Sequence, residues 1–239
     1  MCYVWVEPAI TGATAQVLSI IIPTLNAEKD LPATLDCIAR SGLASEVIVS
    51  DGGSIDSTPV IAAEAAVVFV VDNGGRGPQL ITGAGAAVSD WLMFLHADTR
   101  LQPGWDHAVK AFMADGTNRF RAGYFAFALN DSAPAARRLE ALVRLRCRIF
   151  GLPYGDQGLL ISREFYDFLG GYASIPLMED VEIARRVGRR RLSLLPAAAV
   201  TSAERYRQGG YWLRPARNLV CVGLYFLGFP PRLIGPLYE

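Results

Sequence analysis

Four short apolar segments, each stopped by a polar turn and followed by a helical stretch, constrain this chain more than any other feature. Leu18–Pro23, Glu46–Ser50, Val67–Val71 and Trp91–Leu95 read as strands. Asp30–Arg40, Thr58–Ala65, Pro78–Val88 and Trp105–Met113 read as the helices that follow them. Leu31, Leu35 and Ile38 recur at helical spacing on one face of the first helix, and Pro59 suits the first turn of the second. Strands that are apolar throughout are buried on both faces, and strand–helix–strand repeats pair in parallel through right-handed crossovers. Residues 18–113 are therefore predicted to form a doubly wound α/β unit. Sheets of this kind bind ligands beyond the carboxyl ends of their strands.

Past residue 113 the alternation weakens. Gly123–Leu129 reads as a strand, Ala133–Phe150 as a long basic helix, and Gly155–Ser162 contains a short strand. Glu179–Arg191 reads as a helix whose acidic start and arginine-rich end complement the helix dipole. Leu192–Pro196 is a candidate last strand and Tyr211–Leu227 an apolar, aromatic helix. With no internal repeat and no low-complexity linker, three parts are expected. Residues 1–16 are a loose N-terminal tail, 17–208 one domain, and 209–239 an apolar, arginine-flanked helical extension.

Composition narrows the partners. The 239 residues are 51% hydrophobic and 19% charged, enough for a substantial core, with 23 basic and 23 acidic side chains. Zero net charge argues against a dedicated nucleic-acid binder. The charges are not mixed, however: residues 1–118 carry a net −8 and residues 119–239 a net +8, all of the latter's cations being arginine. Cys2, Cys37, Cys147 and Cys221 are far apart and form no CxxC pair. They suit a reducing compartment, and a cytoplasmic location is expected. Met1–Gln16 lacks the basic start and apolar stretch of a signal peptide. The longest apolar run, Leu219–Phe229, is shorter than the roughly 20 residues a helical span needs.

The predicted strand ends carry the chemistry. The first runs into Pro23-Thr24-Leu-Asn-Ala-Glu28, the second into Asp51-Gly-Gly-Ser, the fourth into His96-Ala-Asp98. Asp, Gly and Ser are ordinary turn residues, but three such loops converging on one sheet edge point to a site. Asp51 suits the hydroxyls or ring N–H of a nucleoside. Asp98 ends an apolar strand, where a carboxylate is costly unless paired or on a metal. With two histidines and no cysteine cluster, the expected ion is a hard one, Mg²⁺ or Mn²⁺, held partly by substrate phosphates. His96 is a second ligand or a structural neighbour. Gly74–Gln79 joins a flexible loop to a helix start, a natural anion site. There Arg76 adds a phosphate contact or is a surface arginine. Glu179 and Asp180 are helix-start acids stabilised by the dipole, or a general base on a pre-organised helix.

Taken in order, Ile20–Asn26, Val47–Thr58, Phe94–Asp98 and Gly170–Asp180 resemble family 2 glycosyltransferases of the GT-A fold. Gly-Arg-Gly-x-Gln before Phe-Leu-His-Ala-Asp-Thr, and Tyr-Gly-Asp-Gln-Gly before Met-Glu-Asp, are similar to a bacterial radical-SAM/selenodomain-associated subgroup. The resemblance implies inverting, metal-assisted transfer from a nucleoside-diphosphate sugar to a hydroxyl acceptor. It also implies a mostly parallel, doubly wound sheet with flanking helices and a C-terminal amphipathic helical extension. It makes Asp51 the nucleoside-binding aspartate, Asp98 the last acid of the metal-binding Asp-x-Asp motif, and Asp180, beside Glu179, the base. Pro23, Thr24, Glu28, Arg76 and Gln79 fall on the donor side, and Asp156 and Gln157 on the acceptor side. The chain departs from the family pattern in having Gly52 for a second acid and His96 for the first acid of the motif. It also lacks a histidine after the last strand, where Arg205 is the candidate counter-charge for the diphosphate.

Two alternatives stand beside this reading. One is an inactive nucleotide-sugar-binding or scaffold protein. The other is a sugar nucleotidyltransferase, disfavoured because the first loop lacks that class's glycines and lysine. The arginines before Leu219–Phe229 suit either a peripheral contact with an anionic membrane, and so a lipid-linked acceptor, or a helix packed back on the domain.

Overall fold

The computed structural model describes residues 18–43, 45–65, 67–204, 210–211 and 213–238. The tail over 1–16 and Arg205 lie outside the described residues. Strands β1 (Leu18–Thr24), β2 (Ser45–Asp51), β3 (Val68–Val71) and β4 (Trp91–Phe94) alternate with helices α1 (Leu31–Ala39), α2 (Thr58–Glu64) and α3 (Arg76–Ala86). Then come β5 (Thr99–Leu101), α4 (Trp105–Ala114), β6 (Ala122–Leu129) and α5 (Pro134–Phe150). After β7 (Leu159–Ser162) the chain forms α6 (Arg163–Phe168), α7 (Glu179–Val187) and β8 (Leu192–Thr201). It closes with α8 (Leu213–Phe226) and α9 (Pro231–Tyr238).

The eight strands form one sheet in the order β3-β2-β1-β4-β7-β6-β8-β5. The β3-β2-β1-β4 half is parallel throughout, as the βαβ pattern requires. In the other half β7 runs antiparallel to β4 and β6, while β6 and β8 are parallel. Side-chain alternation along β1 divides the core. Leu18, Ile20 and Ile22 pack with Leu31 of α1 and Trp105 and Phe112 of α4. Ile21 points to the opposite face, among Leu80 and Ala84 of α3 and Ile183 of α7. Helix α3 can lie this close because Gly83 has no side chain: a Cβ there would stand 2.5 Å from Ile21 Cγ2.

Several elements differ from the sequence expectation. β3 is an edge strand with Val71 exposed, so it is not buried on both faces. The helix expected over 179–191 ends at Val187, because Gly188 turns the chain at φ +78° into a 3-10 turn over Arg189–Arg191. β8 continues beyond Pro196 to Thr201. The proline is tolerated because the pairing with β6 breaks register between Tyr124 and Ala126, and a bulge needs no ladder N–H there. The C-terminal extension is two helices, and it packs on α7. Cys221 and Val222 of α8 and Ile234 of α9 join Met178, Val181 and Ala184 in one cluster. No helix among the described residues is long and apolar enough to cross a membrane.

Candidate active site

The carboxyl end of β2 is built around Asp51, which is buried. Its Oδ1 accepts from Thr24 Oγ1 at 2.8 Å and Ser54 Oγ at 2.5 Å, and its Oδ2 from the N–H groups of Gly53 and Ser54 at 2.9 and 2.7 Å. Gly53 sits at φ +89°, a conformation that suits glycine, and this lets the turn fold back onto the carboxylate. Gln79 of α3 lies beneath the turn. Its Nε2 donates to the carbonyls of Thr24 and Ser50 at 2.7 and 3.0 Å, so it ties α3 to the ends of β1 and β2. The expectation of a donor-binding Gln79 therefore meets an amide nitrogen already committed to backbone. Pro23 pairs with Ser50 in the β1–β2 ladder, and Glu28 Oε2 accepts from Ser57 N at 3.1 Å. Both belong to this end of the site.

Helix α3 begins against the segment that leads into α7. Gly75 takes φ +100°, and a Cβ on Gly77 would stand 2.4 Å from the Ile175 carbonyl oxygen and 2.5 Å from that of Ala173. The sequence Gly-Arg-Gly is thus dictated by close backbone approach, which sets Arg76 beside α7. Arg76 Nη1 reaches Glu179 Oε1 at 3.4 Å. Arg76 is therefore engaged with a carboxylate while its own side chain remains 34% exposed.

Four acids gather where α7, β4 and the 3-10 turn Gly155–Gln157 meet. Met178, just before α7, is a buried non-glycine residue at φ +68°. Strain of this kind persists only where packing holds it, and often marks a functional site. Asp180 Oδ2 accepts from Gly155 N at 2.8 Å, and its Oδ1 from Val181 N at 2.7 Å. Gly155 also abuts His96: a Cβ there would lie 2.4 Å from His96 Nε2. Asp156 Oδ1 and Glu179 Oε2 are buried with no hydrogen-bond partner. Burial pushes the Glu179 carboxyl up to about 7, with the neighbouring Asp180 charge adding to the effect and Arg76 opposing it. Burial likewise pushes Asp156 up to about 6, opposed by Arg146 and reinforced by Asp180 and Asp98. These mutual effects place Asp98, Asp156, Glu179, Asp180 and Arg76 in one electrostatic neighbourhood.

Nothing in the sequence singles out Arg146 of α5. Its guanidinium stacks 3.4 Å from the Tyr154 ring centroid, and its Nη2 donates to Gln157 Oε1 at 3.0 Å. Gln157, expected on the acceptor side, is buried, and its Nε2 donates to Phe125 O at 3.0 Å. It braces the turn from inside, its amide oxygen taken by Arg146 and its amide nitrogen by Phe125 O. A run of five arginines on one helix hides which of them turns inward, so only the tertiary contact reveals Arg146.

Among the described residues no group of three or more His, Cys, Asp or Glu side chains stands ready to hold a metal. Asp98 and His96 nonetheless fit an ion that completes its shell from diphosphate oxygens and water. A carboxylate–imidazole pair suits Mn²⁺ better than Mg²⁺.

Comparisons with known proteins bear on the family and the fold. The family model for Glycosyl transferase family 2 matches residues 19–145. A 4,4'-diaponeurosporenoate glycosyltransferase of Staphylococcus haemolyticus is 38% identical over 110 residues, covering 43% of this chain and 29% of that protein. A PGL/p-HBAD biosynthesis glycosyltransferase of Mycobacterium bovis is 39% identical over 95 residues, 36% of this chain and 37% of that one. The chain thus matches about a third of the length of these curated relatives. Among solved structures, a Pyrobaculum calidifontis mannosyltransferase in complex with GDP-Man and Mn²⁺ superposes with TM-score 0.65 at 19% identity, covering 92% of this chain and 67% of that one. Glucosyl-3-phosphoglycerate synthase from Mycobacterium tuberculosis, with Mn²⁺, UDP and glucosyl-3-phosphoglycerate, gives 0.57 at 20% identity, covering 95% and 87%. At such identities the structures establish a shared fold, the GT-A fold expected from the motifs. With over half of its residues inside the family match, the chain belongs to glycosyl transferase family 2.

Proposed function

We propose that this chain is an inverting glycosyltransferase that moves a sugar from a nucleoside-diphosphate sugar to a hydroxyl acceptor. The observation that carries the reading is the meeting of Asp98, Asp156, Glu179 and Asp180 with Arg76, on the sheet edge where Asp51 is also held. The solved relatives that bind GDP-Man or UDP with Mn²⁺ support a nucleotide-sugar donor and a divalent ion.

Asp51, fixed by the Gly53–Ser54 turn, takes the nucleoside. Asp98, with His96, is the protein's share of the metal site; a bound divalent cation would offset the charge that develops on the departing diphosphate. Arg76 is within reach of that charge if it exchanges Glu179 for phosphate. Asp180 is the base: two backbone N–H groups fix its carboxylate, and it takes the acceptor hydroxyl's proton as the oxygen attacks the anomeric carbon. One displacement inverts that carbon and needs no covalent enzyme intermediate. Glu179 and Asp156 tune the field around the base. The His96-Ala-Asp98 and Gly-Arg-Gly sequences also support placement in the radical-SAM/selenodomain-associated subgroup.

The test is a panel of nucleotide sugars with Mn²⁺ or Mg²⁺, scored for release of the nucleoside diphosphate. Turnover of at least one donor is expected, and it should be lost in both Asp98→Ala and Asp180→Ala. Turnover that survives both substitutions, or a folded chain that binds a donor without turning it over, overturns the reading. The second outcome would favour a nucleotide-sugar-binding protein.

A further inference from the structure

Helix α5 has apolar side chains on the wrong side for a core. Ala136, Leu139 and Cys147 face inward, whereas Leu142, Leu145 and Ile149 are exposed. Spacings of three and four residues put those three on one stripe, and Leu145 is 51% exposed. Arg138, Arg144 and Arg148, all exposed, flank it. The helix's one acid, Glu140, is turned away: it is buried and bonded to Arg137 Nη1 and Leu129 N.

The stripe continues onto the C-terminal helices. Phe150 at the end of α5 and Phe226 at the end of α8 line a single cleft of about 490 Å³ with Arg185 and Arg189. The Arg185 guanidinium lies 4.8 Å from the Phe226 ring centroid. Beyond the cleft Leu219, Leu227 and Leu233 are exposed, Leu227 at 77%. Of the twenty large apolar side chains exposed among the described residues, eleven lie between Leu142 and Leu237 on α5, α8, α9 and the α8–α9 turn, so the exposure is concentrated there. The sequence holds no acid from 205 to 238. Because Cys221, Val222 and Ile234 pack on α7, these helices are fixed to the domain.

We propose that α5, α8 and α9 form one face that lies on an anionic phospholipid bilayer. Charge decides among the occupants. A second copy of the chain would set arginine against arginine, which is repulsive. An anionic headgroup layer over hydrocarbon complements both the arginines and the leucines between them. None of these helices can span a bilayer, so the contact is peripheral. The proposal is independent of sugar transfer, but it bears on the acceptor: α5 ends at Phe150, and the Gly155–Gln157 turn beside Asp180 begins five residues later.

The experiment is co-sedimentation of the full chain with phosphatidylglycerol–phosphatidylcholine vesicles and with pure phosphatidylcholine vesicles, at low and high salt. Binding to the anionic vesicles should be about tenfold or more stronger, and weaker in high salt. Leu145→Glu with Ile149→Glu, or Arg144→Gln with Arg148→Gln, should each lower it about tenfold while leaving the thermal midpoint and donor hydrolysis in free solution unchanged. Equal binding to both vesicle types, no binding to either, or binding unaffected by the α5 variants overturns the proposal. So does a dimer in solution that the same variants dissociate, which would make the face a contact between copies. Lost hydrolysis with retained vesicle binding counts only against the transferase reading.

Discussion

The two ends of the site satisfy their carboxylates in opposite ways. At the β2 end Asp51 accepts four hydrogen bonds from its own turn and from Thr24, and Gln79 closes the backbone beneath it. At the α7 end Asp156 and Glu179 each bury an oxygen with no partner, and four acids share one locality with the arginines Arg76 and Arg146. The first arrangement satisfies its carboxylate from within the chain. The second crowds carboxylates together, a repulsion that an incoming cation or proton can relieve. Under the proposed function, the binding end is the satisfied one and the reacting end the unsatisfied one.

Substitutions at each end should show opposite balances of stability and rate. The largest effect is expected for Asp180→Asn, which removes the proposed base. Turnover of the best donor should fall about 10²- to 10⁴-fold, with the thermal midpoint little changed, because the lost repelling charge offsets the one backbone N–H, of Gly155 or Val181, that the amide nitrogen cannot accept. A parallel fall in midpoint would show Asp180 to be structural. Asp51→Ala should do the reverse at its end. It strands two N–H groups and two hydroxyls, at a cost of roughly 2–4 kcal/mol of stability in denaturant titration, and donor affinity falls with it.

Next in size is the junction between the two ends. Gly77→Ala should destabilise the chain by roughly 1–3 kcal/mol, because the new methyl meets the carbonyls of Ala173 and Ile175. On the same helix Gly85→Ala, with open space around it, should stabilise by roughly 0.5–1 kcal/mol. Equal effects at the two glycines would sink the close-approach argument.

The smallest effect concerns pH. Glu179 is raised from 4.5 to about 7 and Asp156 from 3.8 to about 6. Between the lower and upper values the folded state holds protons that the unfolded state has released. Stability from these groups is therefore fully present below about pH 4 and is lost as pH rises towards 7. In Glu179→Gln the decline in thermal midpoint from pH 4.5 to 7.5 should shrink by roughly 3–6 °C. An unchanged slope would place the strain elsewhere.

The parallel half of the sheet was legible because its strands are continuous apolar runs closed by polar turns; α1, α2 and α4 lie within a residue of the expected bounds, and α3, Arg76–Ala86, starts and ends two residues before the expected Pro78–Val88. β5 has three residues and α6 six, too few for any periodicity. Sequence alone ends β8 at Pro196, since a proline in a strand normally argues against its continuing, and the bulge that admits it is a property of the pairing with β6. Asp51, Asp98 and Asp180 could be named from loops that follow apolar strands or open a helix. The roles of Gln79 and Gln157 could not, since an amide that braces backbone reads the same as one that meets a ligand. Arg146 depends on which side of α5 turns inward. That side is set by β6 and the Gly155–Gln157 turn, not by the spacing within the helix.

Gly155 has a consequence for how such sites diverge. It offers its N–H to Asp180 while His96 fills the volume its own side chain would take. Positions 96 and 155 therefore share one space, and a side chain at 155 requires the His96 ring to give way or to be replaced by something smaller. Where a relative carries the shorter aspartate at the position of His96, room opens for a side chain at the position of Gly155. The two should covary across the family, histidine with glycine and aspartate with something larger. Gly155→Ala should accordingly be tolerated in a His96→Asp background and not in the native one.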